Sequence, residues 1–216
     1  MSEHAFSAAE RAAIYRAIGE RRDMRHFAGG DVAPAVLARL LAAAHQAPSV
    51  GLMQPWRFIR ITRRELRGQI QALVEAERVR TAQALGERSD AFMKLKVEGI
   101  NDCAEVLVAA LMDNREPHIF GRRTLPEMDL ASLACAIQNL WLAARGEGLG
   151  MGWVSLFDPQ ALADLLGMPA GAKPVAVLCL GPVTAFYPAP MLVQENWAQQ
   201  RPLSEMLFEN QWGECQ

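Results

Sequence analysis

Apolar positions along the chain follow two periodicities, one of helices and one of strands. Ser7-Ala-Ala-Glu10 reads as a capping box and opens a helix predicted to run to about Arg21, with Ile14, Tyr15 and Ile18 on its apolar face. Residues 31–34 lead into a second helix, where Val36, Leu37, Leu40, Leu41 and Ala44 recur at helical spacing. Two prolines and a glycine break it across residues 47–56, and a strand of alternating polarity follows at 57–62. Residues 64–98 are charged and helical in character, interrupted near Gly86, and 103–112 form a buried strand. The polar stretch 114–127 carries two prolines and little periodicity, which suits a lid or a surface loop.

Residues 128–145 read as a helix apolar nearly all round: Leu130, Leu133, Ala134, Ile137, Leu140, Trp141 and Ala144. Such a helix is buried on both sides, and in a chain this small the second side suggests a partner subunit. A strand at 150–156, a short helix at 159–166 and a strand at 175–180 complete the regular elements. The proline-rich remainder carries Trp197, Leu203, Leu207, Phe208 and Trp212, which packing across another subunit would bury. The class is α+β, helices around a mainly antiparallel or mixed central sheet.

Composition adds limits. With 216 residues, 51% hydrophobic and 21% charged, the chain is long enough for a sizeable core, and no linker or repeat divides it, so residues 1–216 read as one domain. A net charge of −2 gives no electrostatic footprint for nucleic acid. No apolar run approaches the roughly 20 residues that span a bilayer, and the N-terminus lacks a signal-peptide pattern. Cys103, Cys135, Cys179 and Cys215 are dispersed, three of them in apolar surroundings, as in a reduced, cytoplasmic protein. The histidines show no ligand spacing, so no metal is expected.

Three segments concentrate chemistry. Arg21-Arg22-Asp23-Met24-Arg25 crowds three guanidinium groups at the end of the first helix. They suit bidentate phosphate contact, or they complement the helix dipole. The loop from Pro48 to Trp56 leaves backbone groups free, and Ser49 and Gln54 add side-chain hydrogen bonds. It either holds a planar polar ring or simply connects helix to strand with Trp56 plugged into the core. In Gly146-Glu-Gly148-Leu-Gly150-Met-Gly152-Trp153-Val-Ser155 the glycines recur every second residue, and a helix precedes while a strand follows. Both features exclude a Rossmann loop. Gly146 suits a helix C-cap and Gly148 a turn, whereas Gly152 beside Trp153 suggests close approach of a ligand to backbone. No nucleophile elbow, Cys/His pairing or Walker loop is present.

In this order the three segments, with Arg201-Pro202-Leu203, resemble the FMN-dependent nitroreductase superfamily over nearly the whole chain. The sequence departs from the generic reductase where Asp23 replaces a serine and Leu52 an asparagine. These departures, with Gly152 to Ser155 and Glu195-Asn-Trp197, resemble the 5,6-dimethylbenzimidazole synthase branch. The resemblance implies a nitroreductase-like homodimer with FMN sites at the interface and the C-terminal tail packed on the partner. It implies FMN contacts at Arg21, Arg22, Asp23, Met24, Arg25, Ser49, Met53, Gln54, Gly152, Trp153, Ser155 and Arg201. Of these, the arginines would hold phosphate and ribityl chain, and Ser49, Met53 and Gln54 would line the ring. Reduced FMN would be substrate and O2 co-substrate, with a flavin reductase as a candidate supplier. Asp23 and Ser155 are the positions tied to fragmentation. A carboxylate is the better base than serine there, and its arginine neighbours are expected to keep it ionised. Asp23 could instead merely neutralise the arginines. The runner-up is an NAD(P)H-dependent nitroreductase or flavin reductase, and a non-enzymatic FMN-binding or storage protein is the third reading.

Overall fold

The sheet is built around its most apolar segment. Residues Glu105–Leu111 form strand β2, every one of them buried. Alternation along it divides the interior: Leu107, Ala109 and Leu111 join one apolar cluster, while Val106 and Val108 join another. The computed structural model describes residues 4–213. Among the described residues the other strands are β1 (Trp56–Ile61), β3 (Gly150–Val154) and β4 (Lys173–Gly181). Their order is β1-β2-β4-β3, each neighbouring pair antiparallel. A bulge between Ala109 and Ala110 lies opposite Pro174, which has no N–H to donate to the ladder. A parallel bridge, Asp23 with Met151, extends the sheet beyond β3.

Helices cover both faces. α2 (Pro34–His45) and α5 (Met128–Gly146) pack on one, α3 (Arg64–Ala84) and α6 (Pro159–Leu165) on the other. α1 (Ala8–Glu20) lies against α5, while α4 (Ser89–Lys94) and α7 (Met191–Gln194) are short. The local signals act as read. Ser7 and Glu10 exchange both capping-box hydrogen bonds, and Pro34 occupies the first turn of α2. Gly86, at φ 55°, interrupts the charged stretch between α3 and α4. No helix among the described residues is long and apolar enough to cross a membrane.

Several expectations change. The apolar face of α1 is not buried, because Ile14, Tyr15 and Ile18 are exposed. α5 is covered mostly by its own chain: Leu133, Ile137, Leu140, Trp141 and Ala144 are buried, with Leu130 left at the surface. Cys103 and Cys179 are buried as expected, but Cys135 faces out from α5, and Cys215 lies outside the described residues.

The segment 114–127 is a surface loop lying on the loop at 47–56. A Cβ at Gly51 would come within 3.1 Å of the Phe120 carbonyl oxygen. The loop is fastened to the start of α5, where the buried Asp129 carboxylate meets Arg115 at 2.9 Å and Arg122 at 3.1 Å. Removing the carboxylate leaves two buried guanidinium groups with no counter-charge. Asp129→Ala is therefore expected to lower unfolding free energy by about 3–5 kcal/mol, read from urea denaturation. A loss below about 1 kcal/mol would mean that the pair behaves like a solvent-screened surface bridge.

Candidate functional site

Where α1 ends, the chain does not turn back into another helix. Arg21 is extended (φ −60°, ψ 133°), so residues 21–25 run out along the edge of β3. The Met24 N–H donates to the Met151 carbonyl at 2.9 Å, the backbone bond of the parallel bridge. This crossing explains Gly152, while at Gly150 a Cβ would meet the Val183 side chain first, at 2.4 Å. A Cβ on Gly152 would lie 2.3 Å from the Met24 carbonyl oxygen, and one on Gly150 would lie 3.1 Å from Met24 Cγ. Glycines two apart share one face of a strand, and the chain's own arginine segment lies across that face. The close approach that the sequence assigned to a ligand at Gly152 is made by Met24 and Arg25.

Asp23 is thereby fixed at the strand edge. Its Oδ1 accepts from the Trp153 N–H at 2.9 Å, and its Oδ2 accepts from Arg25 Nη2 at 2.7 Å. The same Nη2 donates to the Trp153 carbonyl at 2.7 Å, closing a ring of three residues. Both backbone polar groups of Trp153 are thus used within the chain. Burial pushes the Asp23 carboxyl above its ordinary value, and the opposing pull of Arg25, the Trp153 N–H and Arg21 does not cancel it. The sequence reading expected the arginines to prevail. Desolvation outweighs them, although 43% of the side-chain surface is exposed in the free chain.

Above Asp23 opens a cleft of about 690 Å³. Arg21, Arg22, Asp23, Arg25, Trp153 and Ser155 all line it, so two motifs separated by more than half the chain meet in one place. Ser155, just beyond β3, is exposed there. The arginines are not equivalent. Arg21 stacks over Trp141, 4.5 Å from guanidinium carbon to ring centroid. Arg22 donates to the carbonyls of Gly19, Arg21 and Pro188, tying the C-terminal segment to α1. Tyr187 reinforces that tie: its hydroxyl accepts from the Arg25 N–H at 3.2 Å and lies 2.6 Å from His26 Nδ1.

The outer wall was not legible in the sequence. Phe92, Leu95 and Lys96 line it from the end of α4 onward, in a charged stretch without a motif. Trp197 comes from the tail and packs on Phe92 at 6.0 Å between ring centroids, under the Arg88 guanidinium at 3.6 Å. These segments, and not residues 114–127, border the cleft.

The remaining expected site residues lie elsewhere in the chain. Ser49 Oγ accepts from the Gln54 N–H at 3.0 Å, folding the proline loop on itself, and Met53 is buried beneath it. The Val50 N–H donates to Ser132 Oγ on α5. Trp56 is plugged into the core, its Nε1 3.3 Å from His45 Nδ1. Leu52 and Gln54 adopt left-handed conformations, φ 54° and 47°, and the Leu52 side chain is 80% exposed. Met24 is buried between the sheet edge and the core, and Arg201 is exposed on the tail next to Gln200, which lines the cleft. A single chain does not bring the proline loop to the cleft.

Comparison with known proteins agrees with this architecture. The Nitroreductase family model matches residues 18–182. A 5,6-dimethylbenzimidazole synthase of Rhodospirillum rubrum is 41% identical over 185 residues, covering 84% of this chain and 87% of its own. One from Rhodobacter capsulatus is 38% identical over 201 residues, covering 91% and 96%. Among solved structures, oxidized iodotyrosine deiodinase bound to FMN and 3-iodo-L-tyrosine superposes with a TM-score of 0.67 at 22% identity, over 81% of this chain and 92% of that one. With the arginine segment, the glycine-spaced strand and most of the cleft lining inside the matched region, the chain belongs to the nitroreductase family.

Proposed function

We infer that the cleft binds flavin mononucleotide and that the protein consumes it, using oxygen to fragment reduced FMN to 5,6-dimethylbenzimidazole, the lower base of vitamin B12. The observation that carries this reading is the Asp23 carboxylate held at the floor of a cleft bordered by guanidinium groups and also lined by Ser155. The names of the relatives from Rhodospirillum rubrum and Rhodobacter capsulatus support it. The residues suit such a ligand. The cleft falls within the roughly 300–1,000 Å³ of small-molecule sites. Its donors are those that bind phosphate, and Arg22 Nε is buried without a hydrogen-bond partner among the described residues.

Arg21 holds the phosphate in this reading, joined by Arg201 through movement of the tail. Fragmentation of reduced flavin by oxygen requires protons to be taken up and returned, and the ionised Asp23 is the acceptor built into this floor. Ser155, on the lining of the same cleft, offers a hydroxyl that can donate and accept. Trp153 and Trp197 exclude water from the two walls. Because flavin is the substrate, a separate flavin reductase replenishes its reduced form. A second copy of the chain completes the site with Ser49, Met53 and Gln54, covering apolar surface that the free chain exposes: Leu52, Phe120 at 84% and Trp212 at 93%.

Light scattering at low micromolar concentration should give a dimer, and a monomer that still binds FMN tightly would remove the shared site. Arg21→Ala should weaken FMN binding about ten- to a hundredfold, the value of one charge-assisted contact. Riboflavin, which lacks the phosphate, should lose far less; equal losses would make Arg21 structural.

Chemically reduced FMN and oxygen, without nicotinamide, should yield dimethylbenzimidazole by chromatography. Asp23→Asn should abolish product while flavin still binds, and Ser155→Ala should slow the reaction or divert it to plain reoxidation. With the Asp23 carboxyl raised in the folded protein, its basic form accumulates as pH rises through that elevated value. Wild-type activity should accordingly climb with pH along a limb shifted upward from that of an ordinary aspartate. Recovery of all FMN as intact oxidised flavin would return the chain to the nicotinamide-dependent reductases of its family.

A further inference from the structure

Arg25 is the third arginine of the segment, yet it is set apart from the other two. Its side chain is 10% exposed, against 43% for the carboxylate it faces. Nη2 is committed twice, to Asp23 Oδ2 and to the Trp153 carbonyl, each at 2.7 Å. Nη1 runs beneath β3, 3.0 Å from where a Cβ on Gly152 would stand. The glycine is therefore a notch through which the guanidinium passes. The backbone of Arg25 is fastened too, since its N–H donates to Tyr187 Oη. Nη1 is buried without a hydrogen-bond partner among the described residues, and to reach a phosphate at the cleft mouth the guanidinium would have to break both bonds made by Nη2.

We propose that Arg25 is a positioning residue, which threads the Gly152 notch to hold the Asp23 carboxylate against the Trp153 backbone and makes no contact with the phosphate of a bound flavin nucleotide. The proposal rests on the flavin reading above and assigns this arginine a different task from Arg21. Two features of the geometry point the same way. Asp23 is gripped by one oxygen from each side, the Trp153 N–H on Oδ1 and Arg25 on Oδ2, so rotation of the carboxylate breaks a bond on either hand. Arg25 also returns to the Trp153 carbonyl, which fixes the cation to the strand that fixes the anion.

The other charges around Asp23 are placed differently. Arg21 acts on it from the same segment, and Arg22 is held by backbone carbonyls. Across the cleft Lys96 is paired with Asp102 at 2.6 Å, and the tail contributes no titratable group to the lining. Arg25 is accordingly the cation in direct contact, and the favourable charge on Asp23 that opposes its burial comes first from Arg25.

The test uses ligand-free, full-length protein with 13C-labelled aspartate, the Asp23 carboxyl signal identified by its loss in Asp23→Asn. In Arg25→Met its titration midpoint should move up by about one pH unit, the low end of what a neighbouring opposite charge contributes. Arg25→Lys, which keeps the charge and the stem, should restore most of that shift and serves if the methionine variant does not fold. A midpoint unmoved in Arg25→Met, or one in Arg25→Lys displaced as far as in Arg25→Met, would overturn the proposal. In parallel, flavin fluorescence should show FMN and riboflavin affinities changing by the same factor in Arg25→Lys. A tenfold larger loss for FMN would make Arg25 a phosphate ligand after all. Absence of flavin binding by the wild-type protein would fail the functional reading alone, with the carboxyl titration still judging Arg25.

Discussion

The backbone bond from Met24 to Met151 is the contact on which the candidate site depends. An edge strand leaves a row of unpaired N–H and C=O groups. Here β3 has β4 on one side, and on the other the segment leaving α1 takes the open edge for one bridge. That pairing turns a sheet margin into a cleft floor. It fixes Asp23 opposite Trp153 and demands glycine at 152, because a Cβ there would meet the Met24 carbonyl oxygen of the crossing chain at 2.3 Å.

The identity of residue 23 follows from the same geometry. The Trp153 N–H and the Arg25 guanidinium approach from different sides, each meeting its own oxygen. A serine at this position has one oxygen and could not meet both at these distances. The carboxylate that spans them is held between opposed influences, desolvation lifting its proton affinity and three donors or charges lowering it. A group balanced in this way takes up and releases a proton with less bias than an exposed aspartate beside the same arginines.

Much of the architecture was legible because local signals agree with the global packing. Ser7 and Glu10 start α1 and Pro34 starts α2 as patterned, and the strand read at 57–62 forms as β1, Trp56–Ile61, although its burial does not alternate. The apolar 105–111 run was legible as a strand because the sheet is covered on both faces. The arginine and glycine motifs were legible as places, but only three-dimensional packing distinguishes Arg22 on carbonyls, Arg25 beneath Gly152 and Arg21 over Trp141. Asp23's raised carboxyl was misjudged for the same reason: sequence reveals neighbouring charges, whereas burial is a tertiary property. Phe92 and Lys96 were missed because they sit among exposed helical residues and reach the cleft only through where α4 ends.

Leu52 stands at the tip of the proline loop at φ 54°. Asparagine visits that left-handed conformation readily, while a residue such as leucine meets a steric penalty of roughly 1–2 kcal/mol. Its side chain gains nothing from its own core, being 80% exposed. The backbone on both sides is nevertheless secured, by Ser49 on Gln54 and by Ser132 on Val50. The leucine is thus a preorganised knob, its direction settled before anything meets it. A surface that covers it gains the buried area of the side chain without having to order the loop, so the entropy of fixing that backbone has already been met in folding.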